Sequence, residues 1–175
     1  ITIKAVGHSF EREPLIRPFG FKGVYMNEMW MALAMLESTS GIRHVGLQTQ
    51  ALAWSDLDVF LAHSEADGNM LQVKTLDYAL QKIKGLSFRS PIEVQDSILK
   101  DVHQYGQSLT GRTNLRMTFT LSSMVALDNA LWMLYAQENG FRNFDEMSQR
   151  VSPLWMVYTP SFSFASCVKP ERTKQ

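Results

Sequence analysis

The chain has 175 residues, 17 Lys and Arg against 17 Asp and Glu, and a hydrophobic fraction of 45%. Zero net charge supplies no basic field for a nucleic-acid backbone or an anionic membrane, and the apolar fraction is far above that of a disordered chain. The single cysteine, Cys167, excludes an internal disulfide and a cysteine-based zinc site, and points to a reducing, cytoplasmic setting.

No apolar run approaches the roughly 18 residues needed to span a bilayer, and the N-terminus lacks a basic-then-apolar signal pattern. Ile1, Ile3 and Ala5 alternate with Thr2, Lys4 and Val6 as a short edge strand. Pro14 to Tyr25, rich in Pro, Gly and aromatics, reads as a long irregular loop. Met29 to Glu37 gives a second strand, Ser38-Thr39-Ser40-Gly41 a turn, and Ile42 to Gln50 a third strand. The first part is therefore a three-stranded antiparallel meander.

From Ser55 the period becomes helical. Ser55 reads as an N-cap, with Asp56 and Asp58 in the first turn and Asp67-Gly68-Asn69 as the stop. Val73, Leu76, Leu80 and Ile83 mark a second helix closed by Lys84-Gly85, and Ser90-Pro91 opens a third. Thr118 to Asn139 is apolar on nearly every side and reads as one long buried helix ending at Gly140. Strands followed by three to four helices make an α+β fold.

Signatures of chemistry are sparse. No P-loop, dinucleotide fingerprint or nucleophile elbow occurs. Asp56, Asp58, His63, Glu65 and Asp67 form the densest acidic cluster, but Asp56 and His63 lie two helical turns apart, about 10 Å, too far to share one ion. The cluster reads instead as helix-start carboxylates with Glu65 and Asp67 on an exposed exit loop. His8, His44 and His103 have no ligand-spaced partner, and Met26, Met29, Met31 and Met35 read as core filling. Asp128, on the apolar helix, needs a hydrogen-bond partner from a loop or neighbouring helix. The Arg12–Tyr25 segment carries Arg17, Phe19, Phe21, Lys22 and Tyr25 with Gly20 and Gly23 as hinges. Two readings fit it equally: a lid closing over an anionic organic ligand, and a loop docked on its own domain.

The order of meander, aromatic loop and helices, with Val125-Ala126-Leu127-Asp128-Asn129-Ala130-Leu131-Trp132, resembles the N-terminal capping domain of the enolase superfamily, in its mandelate racemase and muconate-lactonising branch. Asp128, Ala130, Leu131 and Trp132 match the family's last cap helix, with Met133 in place of a second Asp. Gly41-Ile42-Arg43-His44-Val45-Gly46 looks like the family's turn into the third strand. The resemblance spans residues 1–147 and leaves 148–175 as an unassigned tail or truncated barrel start.

In that family the cap closes and selects while a following barrel supplies Lys or His bases and the carboxylates that hold Mg²⁺. The resemblance thus implies no catalytic or metal-binding residue in this chain, a Mg²⁺ cofactor only for the intact enzyme, and an organic carboxylate substrate that loses its α-proton. It places lid residues at Arg17, Phe19, Lys22 and Tyr25 in the first loop and at Gln48, Gln50 and Trp54 after the third strand. A whole barrel needs about 200–250 residues; Val151 to Gln175, with one acid (Glu171) and a strand-like Leu154–Tyr158, does not look like its beginning. The expected function is that of a truncated or isolated cap. The alternative is a non-catalytic interaction or oligomerisation module, since a cap without its barrel leaves apolar surface uncovered.

Overall fold

A computed structural model of the chain describes residues 1–21 and 23–151, the last four without side chains. Lys22, Cys167 and the Leu154–Tyr158 run lie outside the described residues. The chain divides into two units, Ile1–Gly140 and Phe141–Gln175. The first is α+β: a three-stranded antiparallel sheet, order β1-β2-β3, followed by helices. The strands are β1 (Ile3–Phe21), β2 (Val24–Ser38) and β3 (Arg43–Thr49). In the second unit α7 (Phe144–Val151) begins where Asn143 Oδ1 accepts from Glu146 N at 3.0 Å.

The irregular loop expected over Arg12–Tyr25 is instead a continuation of the β1–β2 hairpin, which turns at Gly23 with φ +82. Gly20 lies in β1, paired with Tyr25, and is not a hinge. The irregularity is confined to a bulge. Pro14 pairs with Glu28 and Phe19 with Met26, so Leu15–Pro18 stand opposite Asn27 alone. Pro14 and Pro18 lack the N–H a ladder requires, which explains why pairing fails between them.

The helices are α1 (Leu52–Ser55), α2 (Leu57–Ala62), α3 (Glu65–Ile83), α4 (Pro91–Thr110), α5 (Met117–Ser123) and α6 (Val125–Asn139). The cap expected at Ser55 belongs to Asp56, whose Oδ1 accepts from Asp58 N and Val59 N at 3.1 and 3.2 Å. Ser55 is buried and its hydroxyl donates to Leu52 O. Asp67-Gly68-Asn69 does not end a helix; it lies in the first turns of α3. Ser64 caps α3 by accepting from Asp67 N at 3.1 Å, and Gly68 leaves room for the Leu52 side chain, which a Cβ there would displace. The stops at Gly85, Gly111 and Gly140 all have positive φ.

The long helix expected over Thr118–Asn139 is broken at Met124 into α5 and α6. Gln48 explains the break. Its Nε2 donates to Ser122 O while its Oε1 accepts from Ala126 N, taking both groups that an unbroken helix would join to each other.

The core lies between the helices and the inner face of the sheet. Trp30, Ala32, Ala34 and Leu36 of β2, Leu76, Leu80 and Ile83 of α3 and Leu127, Leu131 and Leu134 of α6 are all buried, and β2 touches both helices. Small residues let α6 approach: a Cβ at Gly46 would overlap the Ala126 carbonyl oxygen and the Ala130 amide nitrogen. Both obstacles are backbone atoms, so the Gly46→Ala protein should lose about 1–3 kcal/mol of stability in urea unfolding, with its denaturant slope unchanged.

Candidate functional site

Two segments meet at the distal end of the sheet, the β1–β2 hairpin and α1. Phe21, Val24 and Met26 pack against a buried cluster of Leu52, Ala53, Val59, Phe60, Leu115 and Phe119. Above it, Trp54 stacks on Phe21 at 4.3 Å and on Phe19 at 6.1 Å between ring centroids. Trp54 is the one residue of α1 that faces outward, 54% exposed, because its neighbours Ala53 and Ser55 turn inward. Phe19, Trp54 and Tyr25 thus present aromatic surface at one end of the domain.

The α1–α2 joint holds Trp54 in place. Asp56, buried, accepts from Arg116 N through Oδ2 at 3.0 Å as well as capping α2. Thr118 Oγ1 donates to Ser55 O at 2.6 Å, and Arg112 pairs with Asp58 at 2.9 Å. The bulge is held from the other side. Glu65, at the start of α3, accepts from Asn27 N at 3.0 Å and Glu28 N at 3.2 Å, the amides the bulge exposes. Asp56 and Glu65, assigned by sequence to a helix start and an exit loop, are therefore the carboxylates that position the hairpin and α1.

Next to the bulge, Arg12 makes a bidentate pair with Glu28 at 3.0 and 2.8 Å, and Trp30 Nε1 donates to the same carboxylate at 2.9 Å. Arg12 also lies over the Trp30 ring at 5.0 Å, and Phe10 stacks on that ring at 4.9 Å. The Arg12 guanidinium, and after it the Trp30 N–H, hold Glu28 below the usual carboxylate range against the effect of burial.

The sequence-derived lid residues divide into three groups. Phe19 and Trp54 come together, and Tyr25 lies on the opposite side of the hairpin end, its ring 3.2 Å from where a Cβ on Gly20 would stand. Arg17 is exposed in the bulge, beside Ile16, which is 101% exposed. Gln48 and Gln50 are buried and do not belong to an exposed lid. Gln48 holds the α5–α6 junction, whereas Gln50 donates its backbone N–H to Trp30 O and leaves Oε1 without a partner among the described residues. Phe21 joins Phe19 and Trp54, stacking on the Trp54 ring.

Among the described residues no three His, Cys, Asp or Glu side chains gather as a metal site. Asp56, Asp58 and Glu65 already accept from named donors and do not converge, so they do not fit Mg²⁺ and no metal-dependent step is assigned to them. The methionine reading changes as well. Met26 packs on the hairpin-end cluster, but Met29, Met31 and Met35 occupy the strand positions that face away from the helices. Asp128 finds its partner on a neighbouring helix, where Gln95 Nε2 of α4 donates to Oδ1 at 3.2 Å.

Two substitutions check these roles. Gln48→Leu leaves Ala126 N and Ser122 O unpaired unless α5 and α6 rejoin; we expect a loss of about 1–3 kcal/mol in urea unfolding and faster hydrogen exchange at the Ala126 amide. Burial raises the Asp128 pKa, so its ionised form opposes folding above the folded pKa, and that opposition is relieved as pH falls through it. Asp128→Asn should therefore be more stable than wild type at neutral pH and equal to it once the carboxyl is protonated, read from thermal melts across pH.

No protein-family model and no curated protein matches the chain. Solved structures do. An enolase from alpha proteobacterium bal199 with bound Mg aligns over 79% of this chain and 32% of its own, at 16% identity and TM-score 0.53. A mandelate racemase/muconate lactonizing enzyme-like protein from Rubrobacter xylanophilus covers 79% and 31%, at 17% identity and TM-score 0.51. L-talarate dehydratase from Polaromonas sp. JS666, complexed with Mg and L-glucarate, covers 79% and 32%, at 21% identity and TM-score 0.50. The chain spans about a third of the length of each. Identities this low speak for the fold alone: most of this chain shares its fold with about a third of an enolase, a mandelate racemase/muconate lactonizing enzyme-like protein and a talarate dehydratase.

Proposed function

We propose that residues 1–147 act as the capping domain of an enolase-superfamily enzyme, closing over and selecting an organic carboxylate. On this reading residues 148–175 are an unassigned tail or the truncated start of a barrel, the setting is cytoplasmic, and the base and Mg²⁺ ligands reside outside these 175 residues. The supporting observation is the convergence of the hairpin end with α1, where Phe19 and Phe21 stack on Trp54. A cap needs two segments that reach one place and exclude water there. Exposed Arg17 supplies a donor suited to a carboxylate, and Phe19 and Trp54 supply apolar surface for the rest of the molecule.

The 175-residue chain alone should show no Mg²⁺-dependent exchange of α-protons of carboxylic acids in D₂O; exchange abolished by chelation overturns the reading. A positive test grafts residues 1–147 onto the remainder of the Polaromonas L-talarate dehydratase. In an active graft, Trp54→Ala should lower kcat/KM roughly ten- to a hundredfold with Mg²⁺ affinity unchanged. An unchanged kcat/KM removes Trp54 from the site.

A further inference from the structure

The sheet has a second face. Strand alternation sends Trp30, Ala32, Ala34, Gly46 and Gln48 toward the helices and puts Met31, Leu33, Met35, Val45 and Leu47 on the other side. Met31, Val45 and Leu47 are 37%, 49% and 50% exposed, and Leu33 and Met35 are half-buried. Apolar side chains in adjoining rows of a three-stranded sheet form one patch rather than scattered exposures.

The pairing register defines the rows across this face. Ser9, Leu33 and Leu47 form the middle row, flanked by Glu11–Met31–Thr49 on one side and Gly7–Met35–Val45 on the other. Beyond them lie Glu13–Met29 at one end and Ala5–Glu37–Arg43 at the other. Lys4 and Arg43 both pair with Glu37, so that last row carries two cations and one acid. The opposite row carries the acid Glu13.

A two-fold axis along the middle row makes this face complementary to itself. Leu33 and Leu47 then meet their own counterparts, and Met31 meets Met35 of the copy. The row bearing Glu13 falls opposite the row bearing Lys4 and Arg43, so opposite charges meet and no like-charged rows do. An axis parallel to the strands instead places Glu37 over Glu37. We propose that two copies of this chain pack face to face through this surface, forming a six-stranded sandwich with its layers about 10 Å apart. The sheet area available, roughly 14 by 23 Å or about 300 Å² per copy from strand spacing and rise, is below the ~800 Å² per partner of a stable complex, so the dimer is a weak, reversible one. This inference is independent of the capping role.

Sedimentation velocity on the full chain from about 10 μM to 1 mM tests it, since that range brackets dissociation constants typical of weak association. The wild type should move from monomer toward dimer. Leu47→Lys and Met31→Lys, each with an unchanged circular dichroism spectrum, should bind at least about tenfold more weakly. Leu61→Lys, at a residue 57% exposed on α2, should behave as wild type. A monomer throughout the range overturns the proposal, as does association that Leu47→Lys and Met31→Lys leave unchanged, which would assign self-association to another surface.

Discussion

The contact on which the rest of the domain depends is the seating of α6 against β3. At Gly46 there is no room for a Cβ between the strand and the backbone of Ala126 and Ala130. Two residues on, on the same face of β3, the Gln48 carboxamide enters the hydrogen-bond ladder between Ser122 and Ala126. The first feature sets the depth of the helix, and the second sets where it must break. Because it breaks there, α5 is separated from α6 at Met124, and its first turn meets the α1–α2 joint through Arg116 N, Asp56, Thr118 and Ser55 O. That joint aims Trp54 outward. A close approach in the middle of the sheet is thereby transmitted, through backbone hydrogen bonds, to the aromatic surface at its end.

The hairpin arrives at the same place by a different route. A long two-stranded ribbon extending beyond its sheet is marginal by itself. Here the ribbon is braced at two levels: Glu65 satisfies the amides opposite the bulge, and Phe21, Val24 and Met26 add apolar burial beyond it. The Arg12–Glu28–Trp30 arrangement stiffens the stretch just before the bulge. A bulge with no partner for Asn27 N and Glu28 N would leave two strand amides to water, and Glu65 can reach them because Ser64 starts α3 directly beneath.

Much of this architecture was legible in the sequence where a local signal and the tertiary solution agree. Ser90-Pro91 opens α4 and Gly140 ends α6, since caps are set by backbone geometry that neighbours rarely override. Strand order and the α+β segregation followed from the change of period at Ser55. The failures share one cause, contact between residues far apart in the chain. Gly68 looked like a helix stop but accommodates Leu52; Thr118–Asn139 looked unbroken because the intruding carboxamide comes from Gln48. The resemblance put Gln48 in a lid because it lies close to the end of the third strand, but strand alternation turns its side chain inward to the helices. The Pro14–Pro18 pair was visible, yet a long ribbon became expected only once α1 and α3 supplied surfaces to hold it.

The docked hairpin end also constrains how a cap built this way would move. Swinging the end away would return Phe21, Val24 and Met26 to water, and fully burying a side chain of this kind is worth about 1.5–3 kcal/mol. These three are only partly buried, so the cost is a fraction of that for each, but it is incurred together with the loss of two ring stacks on Trp54. Ile16, Arg17 and Pro18 bear no such load: these three residues are exposed, and the amides opposite the bulge are held by Glu65. In a capping role the aromatic end is therefore a preformed wall, present before a ligand arrives. Adjustment to the ligand falls to the bulge, where Arg17 stands exposed between exposed Ile16 and Pro18.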